Sequence, residues 1–239
     1  MRAHPTRGPR TIAGLLASGL LLALAGLAPH ASAQSSRVDI ALVLAFDCSY
    51  SVDAREFELQ RRGLAQAFLD EAVVAAAQAG RHGRIAVTVV QWSADDIQTV
   101  AVPWRLVDGP ATAAELANRI AGMPRLAAPG STSISAVMAY SATLLEAAPF
   151  AADKRVIDVA TDGINNLGPW LRDARNLVVA RGITINGLAI QDEVDYLHHY
   201  LRNRMIGGPG AFVEIADDYD DFPRAIRTKL LREILPAMG

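Results

Sequence analysis

The segment Asp47-Cys48-Ser49-Tyr50-Ser51 sets a carboxylate and two hydroxyls at positions i, i+2 and i+4. It lies between an apolar run that ends at Phe46 and a helix start near Asp53, so the chain must turn sharply there. A turning loop can bring all three oxygens to one point. Two other short segments offer complementary oxygens: Gly130-Ser131-Thr132-Ser133 and Thr161-Asp162-Gly163. Two carboxylates (Asp47, Asp162), three hydroxyls (Ser49, Ser51, Thr132) and water make a hard, all-oxygen, roughly octahedral set. That is the ligation Mg²⁺ or Mn²⁺ takes, with nothing soft enough to favour zinc or copper. Taken alone, D-x-S-x-S is a weak signal, because Asp and Ser populate any turn that caps a helix. Its weight comes from where the other two loops fall.

That placement follows from the elements. Val38 to Phe46 is a nearly continuous apolar run, the mark of a strand buried on both faces. Asp53 with Glu56 forms a capping-box pattern, and Phe57, Leu64, Phe68 and Ala72 recur at helical spacing, which predicts one long amphipathic helix to about Ala79. Further buried strands are predicted at Ile85 to Trp92, Lys154 to Ala160 and Ile183 to Ile190, and a short one at Ala211 to Ile215. Ile97 to Leu106 carries Pro103, as an edge strand would. Helical patterns run from Ala111 to Ala121, Ser133 to Ala147, Trp170 to Ala180, Val194 to Met205 and Phe222 to Leu235. Strands alternating with helices predict an α/β fold: a doubly wound, mostly parallel sheet, helices on both faces, one antiparallel edge strand. In such sheets ligands bind beyond the carboxyl ends of the strands, the edge to which all three oxygen-bearing loops belong.

The N-terminus reads as an export signal. Arg2, Arg7 and Arg10 precede an apolar run from Ile12 to Ala28 and an Ala31-Ser32-Ala33 cleavage triplet. Residues 1–33 are therefore expected to be a signal peptide and 34–37 a short leader. Residues 38–235 form one domain, followed by a tail at 236–239. Periplasmic or secreted localisation follows, with no membrane insertion after cleavage. Gln34 stands where a lipoprotein would need cysteine. The net charge of −2 becomes more acidic once the three signal arginines are gone, and no basic cluster remains that could neutralise a row of phosphates. Nucleic acid is excluded as a partner. The single cysteine, Cys48, forms no intrachain disulfide and reads as a small buried thiol.

Asp47-x-Ser49-x-Ser51, then Thr132, then Asp162 in a strand-end T-D-G, resembles the metal-ion-dependent adhesion site of the von Willebrand factor type A (VWA) superfamily. The resemblance holds in motif, chain order and predicted context, over Val38 to about Ile234. R-I-A-V-T-V-V-Q-W-S from Arg84, G-S-T-S-I-S from Gly130, D-G-I-N-N from Asp162, G-I-T-I-N-G-L from Gly182 and I-G-G-P-G-A-F from Ile206 resemble an exported bacterial branch of unassigned role. The resemblance implies that Ser49, Ser51 and Thr132 coordinate one ion, directly or through water. Asp47 and Asp162 would act directly or from behind these, and one position would stay open for a Glu or Asp of a protein or peptide partner. An ion held mainly by neutral hydroxyls stays electrophilic toward such a carboxylate. Tyr50 is expected at the rim; Asn165 and Asn166 are candidate partner contacts.

The competing readings are a metal-dependent hydrolase or phosphatase-like enzyme and a metal-free structural VWA domain. An Asp-nucleophile phosphotransferase would want a second carboxylate at position 49, which is Ser. A serine hydrolase would want G-x-S-x-G and a histidine at a strand end, and His82, His198 and His199 are not so placed. Intact oxygen ligands at all five positions argue against loss of the metal. Trp92 and Trp170 are expected in the core, Ser133 as a helix N-cap, and Asp158 as a buried support of the loop network. The acidic run Asp217 to Asp221 is expected to complement the dipole of the last helix, with a separate calcium site as the minor reading.

Overall fold

A computed structural model describes residues 37–235. The signal segment 1–33, the leader up to Ser36 and the tail 236–239 lie outside the described residues. In chain order the elements are β1 (Arg37–Asp47), α1 (Ala54–Leu69), α2 (Glu71–Gln78), β2 (Ile85–Trp92), β3 (Gln98–Val107), α3 (Pro110–Ala121), α4 (Ile134–Glu146), β4 (Ala151–Thr161), α5 (Leu171–Ala180), β5 (Thr184–Ile190), α6 (Leu197–Arg204), β6 (Val213–Ala216) and α7 (Phe222–Ile234).

The continuous apolar run of β1 feeds two cores at once, because successive side chains leave opposite faces of a strand. Leu42, Leu44 and Phe46 pack beneath α1, α2, α3 and α7. Ala41, Val43 and Ala45 pack beneath α4, α5 and α6. The six strands lie in the order β3-β2-β1-β4-β5-β6, all parallel except β3, which runs antiparallel to β2 at the edge. The chain winds outward from β1 through β2, then returns to start β4 on the other side of β1. The crevice beyond the carboxyl ends of β1 and β4 is therefore the topological switch point.

Pro103 is accommodated as an edge position allows. The β2–β3 register shifts around Thr88, whose hydroxyl donates to the Val102 carbonyl at 2.8 Å in place of a ladder bond. The expected single helix to Ala79 is instead two. Asp70 adopts extended backbone, and its carboxylate accepts the amides of Ala72 and Val73, so it ends α1 and caps α2. Its side chain also takes Arg227 of α7 at 2.7 Å. The helix expected from Val194 begins only at Leu197.

Trp92 is fully buried, whereas Trp170 is 82% exposed. The second outcome reverses the expectation: Trp170 precedes the first residue of α5, and the face of α5 that packs inward is Leu171, Ala174 and Val178. Cys48 is fully buried, and burial pushes its thiol up to about 12. Folded protein is therefore expected to leave a thiol-reactive dye such as DTNB unreacted at pH 8, with one equivalent consumed after guanidinium unfolding. Among the described residues no helix is long and apolar enough to cross a membrane.

Candidate metal centre

Asp47 closes β1 with its carboxylate buried. One oxygen accepts the Ser49 amide at 2.7 Å, an Asx-type turn that reverses the chain immediately after the strand. The other accepts the Thr161 hydroxyl at 2.5 Å and so bolts β1 to β4. On the far side of the turn the Arg125 guanidinium donates to the carbonyls of Cys48 (2.9 Å) and Val52 (2.8 Å) while lying over the Phe57 ring. The capping box is present: the Glu56 amide donates to Asp53 and the Asp53 amide to Glu56. Turn, clamp and cap together set the Ser49 and Ser51 hydroxyls 3.2 Å apart.

The other two loops meet this one. The Ser51 hydroxyl donates to Asp162 Oδ1 at 2.9 Å. The Tyr50 amide donates to the Gly130 carbonyl, joining the first loop to the second. Gly163 lies alongside Thr132: a Cβ there would sit 3.4 Å from Thr132 Oγ1, at ordinary van der Waals contact. That contact puts the Thr132 hydroxyl against the residue after Asp162. All five residues singled out by spacing thus gather at the switch point. Tyr50 is 78% exposed at the rim.

Asn165, half-buried, and Asn166, exposed, both bond back to the segment that carries Thr132. Asn166 Oδ1 accepts the Thr132 amide and its own amide donates to the Thr132 carbonyl, both at 2.9 Å; Asn165 Oδ1 accepts the Ser135 amide at 2.9 Å. They hold the Thr132 loop against the Asp162 loop. Ser133 stands at the N-cap position of α4, but its hydroxyl donates to the Leu167 carbonyl and caps nothing. Asp158 supports α7 rather than the loops: the Lys229 ammonium sits 2.6 Å away.

Reading the sequence missed three contributors. Thr161 figured there only as part of the T-D-G turn, and Arg125 gave no signal in a Pro- and Ala-rich loop. Tyr219, hidden in the acidic run before α7, is buried and donates its hydroxyl to Asp162 Oδ2 at 2.9 Å. Elsewhere in that run Asp220 pairs with Arg55 of α1, and Asp221 with Arg224 of α7.

The electrostatics call for a cation. Burial first, and the charge of Asp162 second, push Asp47 up to about 7. Burial also raises Asp162, against the hydrogen bonds from Ser51 and Tyr219. Among the described residues no lysine or arginine forms an ion pair with either carboxylate, and Arg125 bonds only carbonyls. A hydroxyl that gives its proton to a carboxylate, as Ser51 does, still presents its lone pairs. The donor set therefore fits one small, hard divalent ion.

A second cluster lies at the opposite sheet edge, where Asp39, His82 and Asp153 bring potential ligand atoms within 4.8 Å of one another. Both oxygens of Asp39 already accept amides, from His82 and Arg84, and His82 Nε2 is 3.0 Å from Asp153 Oδ2. These bonds clasp the entry of β2 to β1 and β4.

The fold is that of VWA domains. Proximal thread matrix protein 1 from the mussel byssus is similar over 83% of this chain and 48% of its own, at 15% identity and a TM-score of 0.62. One structure of that protein has a zinc-occupied MIDAS motif. The pilus adhesin SpaC from Lactobacillus rhamnosus GG is similar over 82% of this chain and 30% of its own (14% identity, TM-score 0.59). A von Willebrand factor type A protein from Catenulispora acidiphila is similar over 82% and 43% (17% identity, TM-score 0.53). At these identities the likeness is one of fold, and this chain spans less than half the length of each. No curated protein matches the chain. Residues 37–238 match the family of proteins of unknown function DUF1194, and the chain belongs to that family.

Proposed function

We propose that the protein is an exported, non-enzymatic recognition module that grips a carboxylate of a partner protein through one divalent ion held by Asp47, Ser49, Ser51, Thr132 and Asp162. The observation that carries this reading is the meeting of two buried, charge-uncompensated carboxylates with three hydroxyls at the switch point. Ligand hardness favours Mg²⁺ or Mn²⁺. When bound, the ion supplies an electrophilic position that an Asp or Glu side chain completes. The protein's part is to hold the hydroxyls rigidly: Asp47 shapes the turn, Thr161 locks it to β4, and Tyr219 orients Asp162. Enzymatic chemistry is disfavoured because no histidine among the described residues hydrogen-bonds a hydroxyl of the centre. His82 engages Asp153 at the opposite edge, and His198 engages Gln191.

The direct test uses immobilised protein charged with Mn²⁺ to capture partners from an envelope extract of the source cells, with elution by EDTA. Proteins retained by the native chain and released by EDTA, but never retained by Asp162→Ala, are the expected result. Identical retention with and without ion sinks the proposal.

Two smaller effects accompany it. Tyr219→Phe removes one of the donors to Asp162 and keeps the ring, so Mg²⁺ affinity measured by calorimetry should fall about tenfold, the lower end for loss of a group that orients a ligand. The second effect concerns pH. Asp47 titrates near 7 in the folded protein, against 3.8 ordinarily. The folded state thus holds a proton that the unfolded chain has already released, so stability in EDTA falls as pH rises from about 4 to about 7. Proton and ion compete for the same charge. Saturating Mg²⁺ should flatten the decline, and parallel melting curves with and without ion across this range would count against the centre.

A further inference from the structure

Beside the centre, the loop that holds Thr132 forms one wall of a cleft of about 920 Å³ lined by Asn165, Asn166, Leu167, Trp170, Tyr200 and Arg204. That volume lies within the range that takes several side chains of a ligand. Trp170 leaves 82% of its surface in solvent at the lip of the cleft, and Leu167 is 37% exposed.

This lip is rigid. Gly168 has φ +86°, and a Cβ there would lie 2.7 Å from Ser133 Oγ and 3.0 Å from Ser135 Oγ, so the backbone presses directly on the start of α4. The Trp170 carbonyl accepts the amides of Asp173 and Ala174, which fixes the following turn. An indole has only two side-chain torsions to order when a partner covers it, a small cost for so large a contact. Aromatic side chains so placed are the usual anchors of protein interfaces.

Charge is polarised around the centre. Arg172 and Arg204 line the cleft with a single acid, Asp173, and neither arginine forms an ion pair among the described residues. The loop between β5 and α6 carries Asp192, whose charge reaches Asp162, together with Glu193 and Asp195. An acidic segment approaching the ion is drawn over the cleft and repelled from the β5 loop.

Resting on the metal-dependent reading above, we propose that the cleft is a second subsite of the same centre. It takes an aromatic or large apolar side chain of an extended, acidic protein segment whose Asp or Glu completes the ion's coordination. The two contacts sit at a fixed separation, and the subsite, rather than the ion, selects the partner.

The experiment uses a displayed library of random 12-residue peptides, selected on the Mn²⁺-loaded protein and eluted with EDTA. Recovered peptides are then titrated against the native chain, Trp170→Ala, Arg204→Glu and Asp162→Ala, and the Mn²⁺-induced melting shift is recorded for each variant. The expected peptides carry an Asp or Glu and an aromatic residue at constant spacing. Trp170→Ala and Arg204→Glu should each weaken them about tenfold, and Trp170→Ala should have no further effect on a peptide whose aromatic residue is replaced by Gly. Peptides with a carboxylate alone, bound equally by native and Trp170→Ala, overturn the subsite and leave the ion reading standing. Peptides bound equally by Asp162→Ala overturn both. A selection that enriches nothing overturns the subsite, as does loss of the melting shift in Trp170→Ala, which would make the loop a brace for Thr132 only.

Discussion

In millimolar Mg²⁺ or Mn²⁺ the protein is expected to melt about 5 to 10 °C higher than in EDTA, and Asp47→Ala should lose most of that difference. Ion at a hundredfold over its dissociation constant adds about 2.7 kcal/mol, and a domain of this size gains roughly 2 to 4 °C per kcal/mol. The baseline of the variant can move either way. Removing Asp47 deprives the Ser49 amide and the Thr161 hydroxyl of their acceptor, but it also removes a buried charge that faces Asp162. The readout is therefore the ion-induced difference within each variant. Asp47→Asn separates the two terms, because the amide keeps an acceptor oxygen for Ser49 and carries no charge. It should melt above the native chain in EDTA at pH 8 and respond weakly to ion. An Asp47→Ala protein that gains as much from Mg²⁺ as the native chain would remove Asp47 from the centre.

Lys229→Met should be the most damaging single change outside the centre, costing about 3 to 5 kcal/mol. The Lys229 ammonium is fully buried at 2.6 Å from Asp158 and 3.2 Å from Glu233. The lysine is the one cation beside Asp158, and the Glu233 carboxylate next to it works against ionisation. Burial already pushes Asp158 up to about 7 against the pull of the lysine. Glu233 is held further by Asn186 Nδ2 at 2.6 Å, and Asn186 in turn accepts the Phe212 amide, so α7 is tied to β5 and the start of β6. Without the lysine two buried carboxylates are left with no cation. Replacing the set together, as Lys229→Met with Asp158→Val and Glu233→Gln, removes the stranded charges and should recover most of the loss. Denaturant unfolding of the three proteins checks this: a single variant within about 1 kcal/mol of native would show that the network carries little energy.

The sequence by itself determined the order of elements and the identity of the oxygen-bearing loops. Both rest on local chemistry: a β1 apolar on both faces, a capping box at Asp53, hydroxyls and carboxylates in the turns that follow strands. The doubly wound order followed because strands alternating with helices leave few ways to close a parallel sheet. Where local pattern misled, a distant partner had decided. Asp70 splits one helical pattern into two because its carboxylate caps α2 and takes Arg227. Trp170 stays outside because smaller side chains on α5 already fill the core.

The supports of the centre were decided only by the tertiary structure. Thr161 reaches Asp47 across 114 residues, Arg125 reaches Val52 across 73, and Tyr219 reaches Asp162 across 57. None lies in a spacing pattern that periodicity can detect. A lone Thr, Arg or Tyr in a loop looks the same whether it faces solvent or a buried carboxylate. Lys229 shows the same limit inside a helix, where an interior lysine reads as a solvated residue until Asp158 and Glu233 are brought around it. Ligand types are written in local sequence because the chemistry of an ion demands particular atoms. The groups that aim those atoms are chosen by whichever chain segments the closed sheet brings alongside, and only the folded chain names them.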